Sequence, residues 1–195
     1  MTAGELPPDL AAELRAYIDR EVRGGFTPVD EIPRAAVEYL ATDADASTLQ
    51  AHAEAYTAEA LVAHSEAQKT WTRTDCDRLD ASFAQLEGDG ILARQDFSCC
   101  QNCGHGEIWD LVQSAQADNR PVRGYTFYHR QDTESAVDGC GLCLAYGSVT
   151  EGDEALAKIG REVVAVLRSN GLQVNWDGTT KKRIVVTVDW KRRRD

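Results

Sequence analysis

The sequence predicts an α+β protein: a helical N-terminal half packed with a mixed sheet-and-helix C-terminal half that ends in a β-hairpin. Three observations lead there. Apolar residues recur at three-to-four spacing through residues 1–90. Period-two runs gather after residue 90, as in Tyr125, Phe127 and His129 alternating with Thr126 and Tyr128. The runs 172–176 and 183–190 flank Asp177-Gly178-Thr179-Thr180 and read as a terminal hairpin. The expected division is a helical region, 1–90, and an α+β region, 91–195, that carries a cysteine-rich turn. No flexible linker separates them, so both can share one core.

Taken in order, Pro7-Pro8-Asp9 opens a helix whose Leu10, Leu14, Tyr17, Ile18 and Val22 form one buried face, and Gly24-Gly25 ends it. Thr27-Pro28 has the form of an N-cap followed by proline at the first helical position, which predicts a second helix from there toward Leu40. A third helix spans 47–70, with Leu49, Ala53, Tyr56, Ala60 and Ala63 on one side and His52 and His64 as surface or flanking residues. Thr74-Asp75 caps a fourth, with Leu79, Phe83 and Leu86 inward, and Gly88-Asp89-Gly90 turns it into a strand, 91–97. This helix, turn and strand look like the end of a winged-helix unit, but the preceding helices lack the basic face that phosphate contact needs.

After the cysteines, Ile108, Leu111, Val112 and Ala115 mark a helix that ends near Asn119-Arg120-Pro121. The strand 122–129 follows, then a short helical turn begun by Asp132-Thr133-Glu134, a strand 139–147, and a helix 153–170 closed by Gly171.

At 195 residues, 43% hydrophobic and 27% charged, the chain reads as an ordinary globular protein, and no apolar run approaches the roughly 18 residues that cross a bilayer. Its start lacks the basic and apolar regions of a signal peptide, which predicts a cytoplasmic protein whose thiols stay reduced. The net charge of −11 sits in residues 1–90, with 18 acidic and 7 basic side chains; residues 91–195 hold 14 of each. An acidic body repels phosphate and disfavours nucleic acid. The exception is a basic cluster, Lys181, Lys182, Arg183, Lys191, Arg192, Arg193 and Arg194, read as a solvated tail with RNA, DNA or an acidic partner as the alternative.

The chemistry gathers in 97–110, F-S-C-C-Q-N-C-G-H-G-E-I-W-D. Cys100-Gln-Asn-Cys103-Gly104 matches one zinc knuckle, and a second C-x-x-C, Cys140-Gly-Leu-Cys143, offers two more thiolates for a structural zinc ion, with Cys99 and His105 as substitutes. The second pair falls in an expected strand, where residues three apart face opposite sides, so Gly139 and Gly141 must bend it. A second reading is redox, because strand, C-x-x-C and helix is the local order of a thioredoxin-like motif. A third is a cysteine nucleophile paired with His129 or His105 and oriented by Asp132 or Glu134, although Asp132 and Thr133 also read as helix caps. Cysteines simply filling a core complete the set, and Cys76 belongs there.

The blocks F-S-C-C-Q-N-C-G-H-G-E-I at 97–108 and G-Y-T-F-Y-H-R-Q-D-T-E at 124–134 resemble an uncharacterised actinobacterial family, a domain of unknown function. The resemblance covers most of 75–190 and implies a soluble bacterial protein with no assigned activity. It also implies less consistency at Cys140 and Cys143, which moves weight to Cys99, Cys100, Cys103 and His105. The expectation is therefore a non-enzymatic interaction protein with a cysteine-ligated zinc site and another protein as partner. A thiol-dependent redox protein or cysteine enzyme using the same cluster is the alternative.

Overall fold

The structure, a computed structural model, describes residues 5–40 and 45–194, and the chain forms two compact units, Met1–Thr72 with Lys191–Asp195 and Arg73–Trp190. The expected boundary near residue 90 falls inside the second unit.

In the first unit, α1 (Pro8–Gly24), α2 (Ile32–Leu40) and α3 (Ala46–Gln68) enclose Leu14, Tyr17, Ile18, Val22, Ile32, Ala36, Leu49 and Ala53. Helix α1 stops at Gly25, whose φ of 84° is the left-handed conformation that glycine adopts at low cost. Helix α2 begins later than Thr27-Pro28 predicts. Thr27 donates its hydroxyl to the Glu21 carboxylate, and 28–31 closes as a turn with Glu31 N–H on Pro28 O, so the cap is already engaged. Asp45 caps α3 by accepting from the Thr48 amide.

Two expectations for this unit are corrected. His64 is buried; its Nε2 lies 2.9 Å from Arg192 O and its ring meets Trp71 edge-on. The 191–194 part of the basic cluster is docked rather than solvated. Arg192 stacks its guanidinium over Phe26, Arg193 donates to Trp71 O and Thr72 O, and Arg194 forks onto Glu21 O, Val22 O and Thr27 O. Those carbonyls end or follow α1, where a cation also meets the negative end of the helix dipole.

The second unit is a mixed five-stranded sheet flanked by helices. Its elements are α4 (Asp75–Gly88), β1 (Ile91–Arg94), α5 (Gln101–Ala117), β2 (Gly124–Phe127), α6 (Arg130–Val137), β3 (Leu142–Ser148), α7 (Asp153–Ser169), β4 (Gln173–Asn175) and β5 (Ile184–Thr187). The sheet order is β1-β2-β3-β5-β4, with β1 and β2 parallel and the other pairs antiparallel. Thr74 caps α4, as the sequence predicts, and Asp77 completes a capping box with it. The terminal hairpin forms as expected, with Val174 opposite Val186.

Strand alternation sorts the two faces. Gly124 backs onto Ile159 of α7 and Tyr128 packs on Phe83 of α4 and on Trp190, so this face carries α4 and α7. Tyr125 and Phe127 point the other way, into a cluster with Ile108 of α5 and Ala145. Because β1 and β2 are parallel, the loops that leave their carboxyl ends emerge at one end of the sheet, the usual place for a site in such architectures. The cysteine turn follows β1 and His129 follows β2.

Gly104 lets α5 sit close over that end. A Cβ added there would overlap Phe127 Cε2 and come within 2.8 Å of Cζ, and Phe127 is fully buried. Gly104→Ala is therefore expected to lose about 1–3 kcal/mol through overpacking despite the better helix propensity of alanine. Gly106 has nothing within 4 Å of its added Cβ, so Gly106→Ala should be neutral or gain up to about 1 kcal/mol. Urea midpoints of the two variants check this pair, and equal midpoints would contradict it.

Candidate functional site

The expected strand 91–97 stops at Arg94 because the chain kinks twice. Asp96 and Ser98 take left-handed φ values of 48° and 67°. The kinked segment stays tied to the chain beyond β2, with Phe97 N–H on Tyr128 O at 2.8 Å and Arg130 N–H on Ser98 O at 3.2 Å. That bracketing holds Cys99 and Cys100 at the carboxyl end of the parallel pair. Cys100 is the N-cap of α5, with φ −155°, and Cys103 lies in the first turn.

The sulfurs of Cys99, Cys100 and Cys103 lie within 4.8 Å of one another, close enough to share one metal ion. Cys99 and Cys103 are exposed and Cys100 is half-buried, and all six cysteines of the chain are free thiols. The Cys103 backbone N–H faces the Cys100 sulfur and, with the Cys103 and Cys99 thiols, lowers the Cys100 pKa below that of an ordinary thiol. Cys103 supplies the proton in these contacts; its interactions with Cys99 and then Cys100 push its own pKa up to about 11. The cluster thus has one thiol favoured as thiolate and one held protonated near neutral pH, and a cation in its midst would favour full deprotonation.

The other sequence-predicted ligands lie elsewhere. His105, two residues past Cys103, directs Nδ1 to the Tyr125 hydroxyl at 3.1 Å and sets its ring edge-on to Phe127; burial lowers its pKa. Cys140 is exposed in the bend after α6, its N–H on Ser135 O. Gly139 and Gly141 do bend the chain there, with φ of 81° and 86°, but Cys143 is already in β3, opposite Val185. Burial pushes the Cys143 thiol up. Among the described residues, the ligand atoms within 4.8 Å of one another are the sulfurs of Cys99, Cys100 and Cys103, without Cys140 or Cys143.

Tied through Asp96 to the segment that leads into the thiols is a polar network of which the sequence reading names the His129–Asp132 pairing but not Arg183. Asp132 Oδ2 accepts from the His129 amide at 3.1 Å and lies 3.0 Å from His129 Nε2, while both carboxylate oxygens accept from the Arg183 guanidinium. Arg183 also donates to Cys143 O, and Thr133 donates to Asp96 at 2.6 Å. His129, Asp132 and Thr133 are all buried. Asp132 acts at the helix start as the sequence predicts, on the His129 amide, and it orients the His129 ring as well. Arg183 belongs by sequence to the basic cluster, and nothing in its local sequence points to Asp132. Two buried nitrogens of the network, His129 Nδ1 and Arg183 Nε, have no hydrogen-bond partner. Burial lowers the His129 pKa against the opposing pull of Asp132, which favours the neutral imidazole.

Among the described residues no helix is long and apolar enough to cross a membrane. The model of one protein family, described as Domain of unknown function (DUF6891), matches residues 7–194. No curated protein and no solved structure matches the chain.

Proposed function

We propose, for a chain that belongs to the uncharacterised family DUF6891, that its site is a three-thiolate centre for a thiophilic divalent cation, zinc by preference, held by Cys99, Cys100 and Cys103. The observation that carries this reading is the convergence of three sulfurs at the start of α5. Thiolate ligands select zinc and other soft ions over magnesium or calcium, and a Zn–S distance of about 2.3 Å suits sulfurs this close together. The ion would take the place of the one thiol proton that Cys103 directs at its neighbours.

The ligand spacing also bears on the role. Three ligands within five consecutive residues close no long loop, so the three thiolates by themselves add little cross-linking of the kind that stabilises small zinc domains. The centre is better suited to shaping an exposed turn at the carboxyl end of β1 and β2 for a protein partner. We read the chain as a non-enzymatic interaction protein of the reducing cytoplasm, where such thiols stay available.

A specific observation favours a second reading, thiol–disulfide exchange. Cys100 caps a helix with Cys103 one turn on, so the Cys100 thiolate can attack a substrate disulfide and release one substrate thiolate. Cys103, once deprotonated, then displaces the second substrate thiolate and leaves a Cys100–Cys103 disulfide with the substrate reduced.

Metal analysis of untagged protein, with thiol titration before and after a strong chelator, separates the readings. The expected result is about one zinc per chain, with three thiols released only by the chelator. Cys100→Ser is expected to lose the metal while the second unit keeps its helix content by circular dichroism. Metal-free protein with one or two fast-reacting thiols near neutral pH would replace the metal reading with the exchange reading.

A further inference from the structure

We propose that His129 is the fourth ligand of the ion, binding through Nδ1 while Asp132 holds the opposite ring nitrogen. This rests on the three-thiolate reading above and assigns the coordination position that the three sulfurs leave open.

The placement follows from strand alternation. Tyr128 packs on the face that carries α4 and α7, and His129 is extended at φ −103° and ψ 173°, so its side chain falls on the opposite face with Phe127. That is the face on which Gly104, one residue after Cys103, lies against Phe127. The hydrogen bond from Arg130 N–H to Ser98 O sets the residue after His129 beside the residue before Cys99. Imidazole and thiols thus share one face and one end of the sheet.

The donor chemistry narrows the choice to this residue. A carboxylate can only accept, so Asp132 on Nε2 fixes the proton there and leaves the lone pair of the neutral ring on Nδ1. A carboxylate on the remote nitrogen is the partner that zinc-bound histidines regularly have. His129 is 5% exposed, and its Nδ1 is buried without a hydrogen-bond partner, the Asp132 N–H at the helix start being taken by His129 O at 2.9 Å, so the lone pair is open to an ion. The other unpartnered buried nitrogen of the network, Arg183 Nε, has no lone pair to give. His105 already directs Nδ1 to Tyr125. The group of ligand atoms within 4.8 Å of one another comprises the sulfurs alone, so coordination by Nδ1 requires the 97–100 turn and the imidazole to approach one another when the ion binds.

X-ray absorption at the zinc edge of the zinc-loaded full chain tests the assignment. The expected spectrum has three sulfurs near 2.3 Å and one nitrogen near 2.0 Å with the outer-shell scattering of an imidazole. His105→Ala should leave it unchanged, and His129→Ala should replace the imidazole with an oxygen donor. The wild type and His105→Ala decide the matter even if His129→Ala fails to fold. Four sulfurs, three sulfurs with an oxygen in the wild type, or loss of the imidazole signal in His105→Ala would each overturn the proposal while leaving the thiolate centre standing. No sulfur shell at all would overturn both.

Discussion

Asp132→Ala is expected to destabilise the second unit by about 3–5 kcal/mol in metal-free protein, the cost of removing one partner from a buried ion pair. The size follows from what the carboxylate does. It accepts from the His129 amide and ring and from two guanidinium nitrogens of Arg183, and its side chain is 9% exposed. Removing it leaves Arg183 with Cys143 O as its remaining acceptor and a charge that has lost its counterion. Surface pairs such as Arg15–Glu59, both more than half exposed, contribute about 0–1 kcal/mol, so their loss should hardly register. Against a total of about 5–15 kcal/mol, the Asp132 change lowers the melting temperature by of the order of 10 °C. Chemical denaturation read by hydrogen exchange in β2 and β3 measures it. Pairing Asp132→Asn with Arg183→Met should recover part of the loss, since neutral replacement of both partners avoids the orphaned charge. A midpoint shift in Asp132→Ala worth under about 1 kcal/mol would show that water takes the carboxylate's place and that the network does not hold the site together.

The same network marks where sequence reading stops. Capping by Thr74, the α1 stop at Gly25 and the hairpin around Asp177-Gly178 are local, and each is readable because its partners lie a few residues apart. The alternation that puts Tyr125, Phe127 and His129 on one face was equally plain. The pairing of Asp132 with Arg183 spans 51 residues and depends on β5 lying beside β3, an order that periodicity does not encode. The thiol site was half legible for the same reason. Cys99, Cys100 and Cys103 converge through one turn, whereas the second C-x-x-C matched a spacing that β3 then divides, leaving Cys140 in the bend and Cys143 in the strand. Thr27-Pro28 misled because a good cap signal was outcompeted by the Glu21 carboxylate.

Long range also hid the role of the basic segment, which leads to the second large effect. Arg194→Ala is expected to cost the first unit about 2–4 kcal/mol, from three charge-assisted hydrogen bonds discounted for a half-exposed position. Gln68 grips the same residue from both sides, its side chain donating to Arg194 O at 3.0 Å and accepting from Arg194 N–H at 3.2 Å, and His64 meets Arg192 O. Burial lowers the Arg194 pKa, yet its charge is retained because guanidinium titrates far above neutrality. Arg194→Lys should recover little, since one ammonium cannot fork across carbonyls of Glu21, Val22 and Thr27. The check is hydrogen exchange: amides in the last turn of α1 and around Gln68 should lose protection in Arg194→Ala, while those of β2 and β3 keep theirs. Unchanged protection in α1 would return these arginines to the solvated, partner-seeking reading that their sequence suggests. Loss of protection confined to the first unit would mean that the guanidinium charges of Arg192, Arg193 and Arg194 are engaged within the fold, which leaves the segment poorly placed to neutralise the phosphates of a nucleic acid.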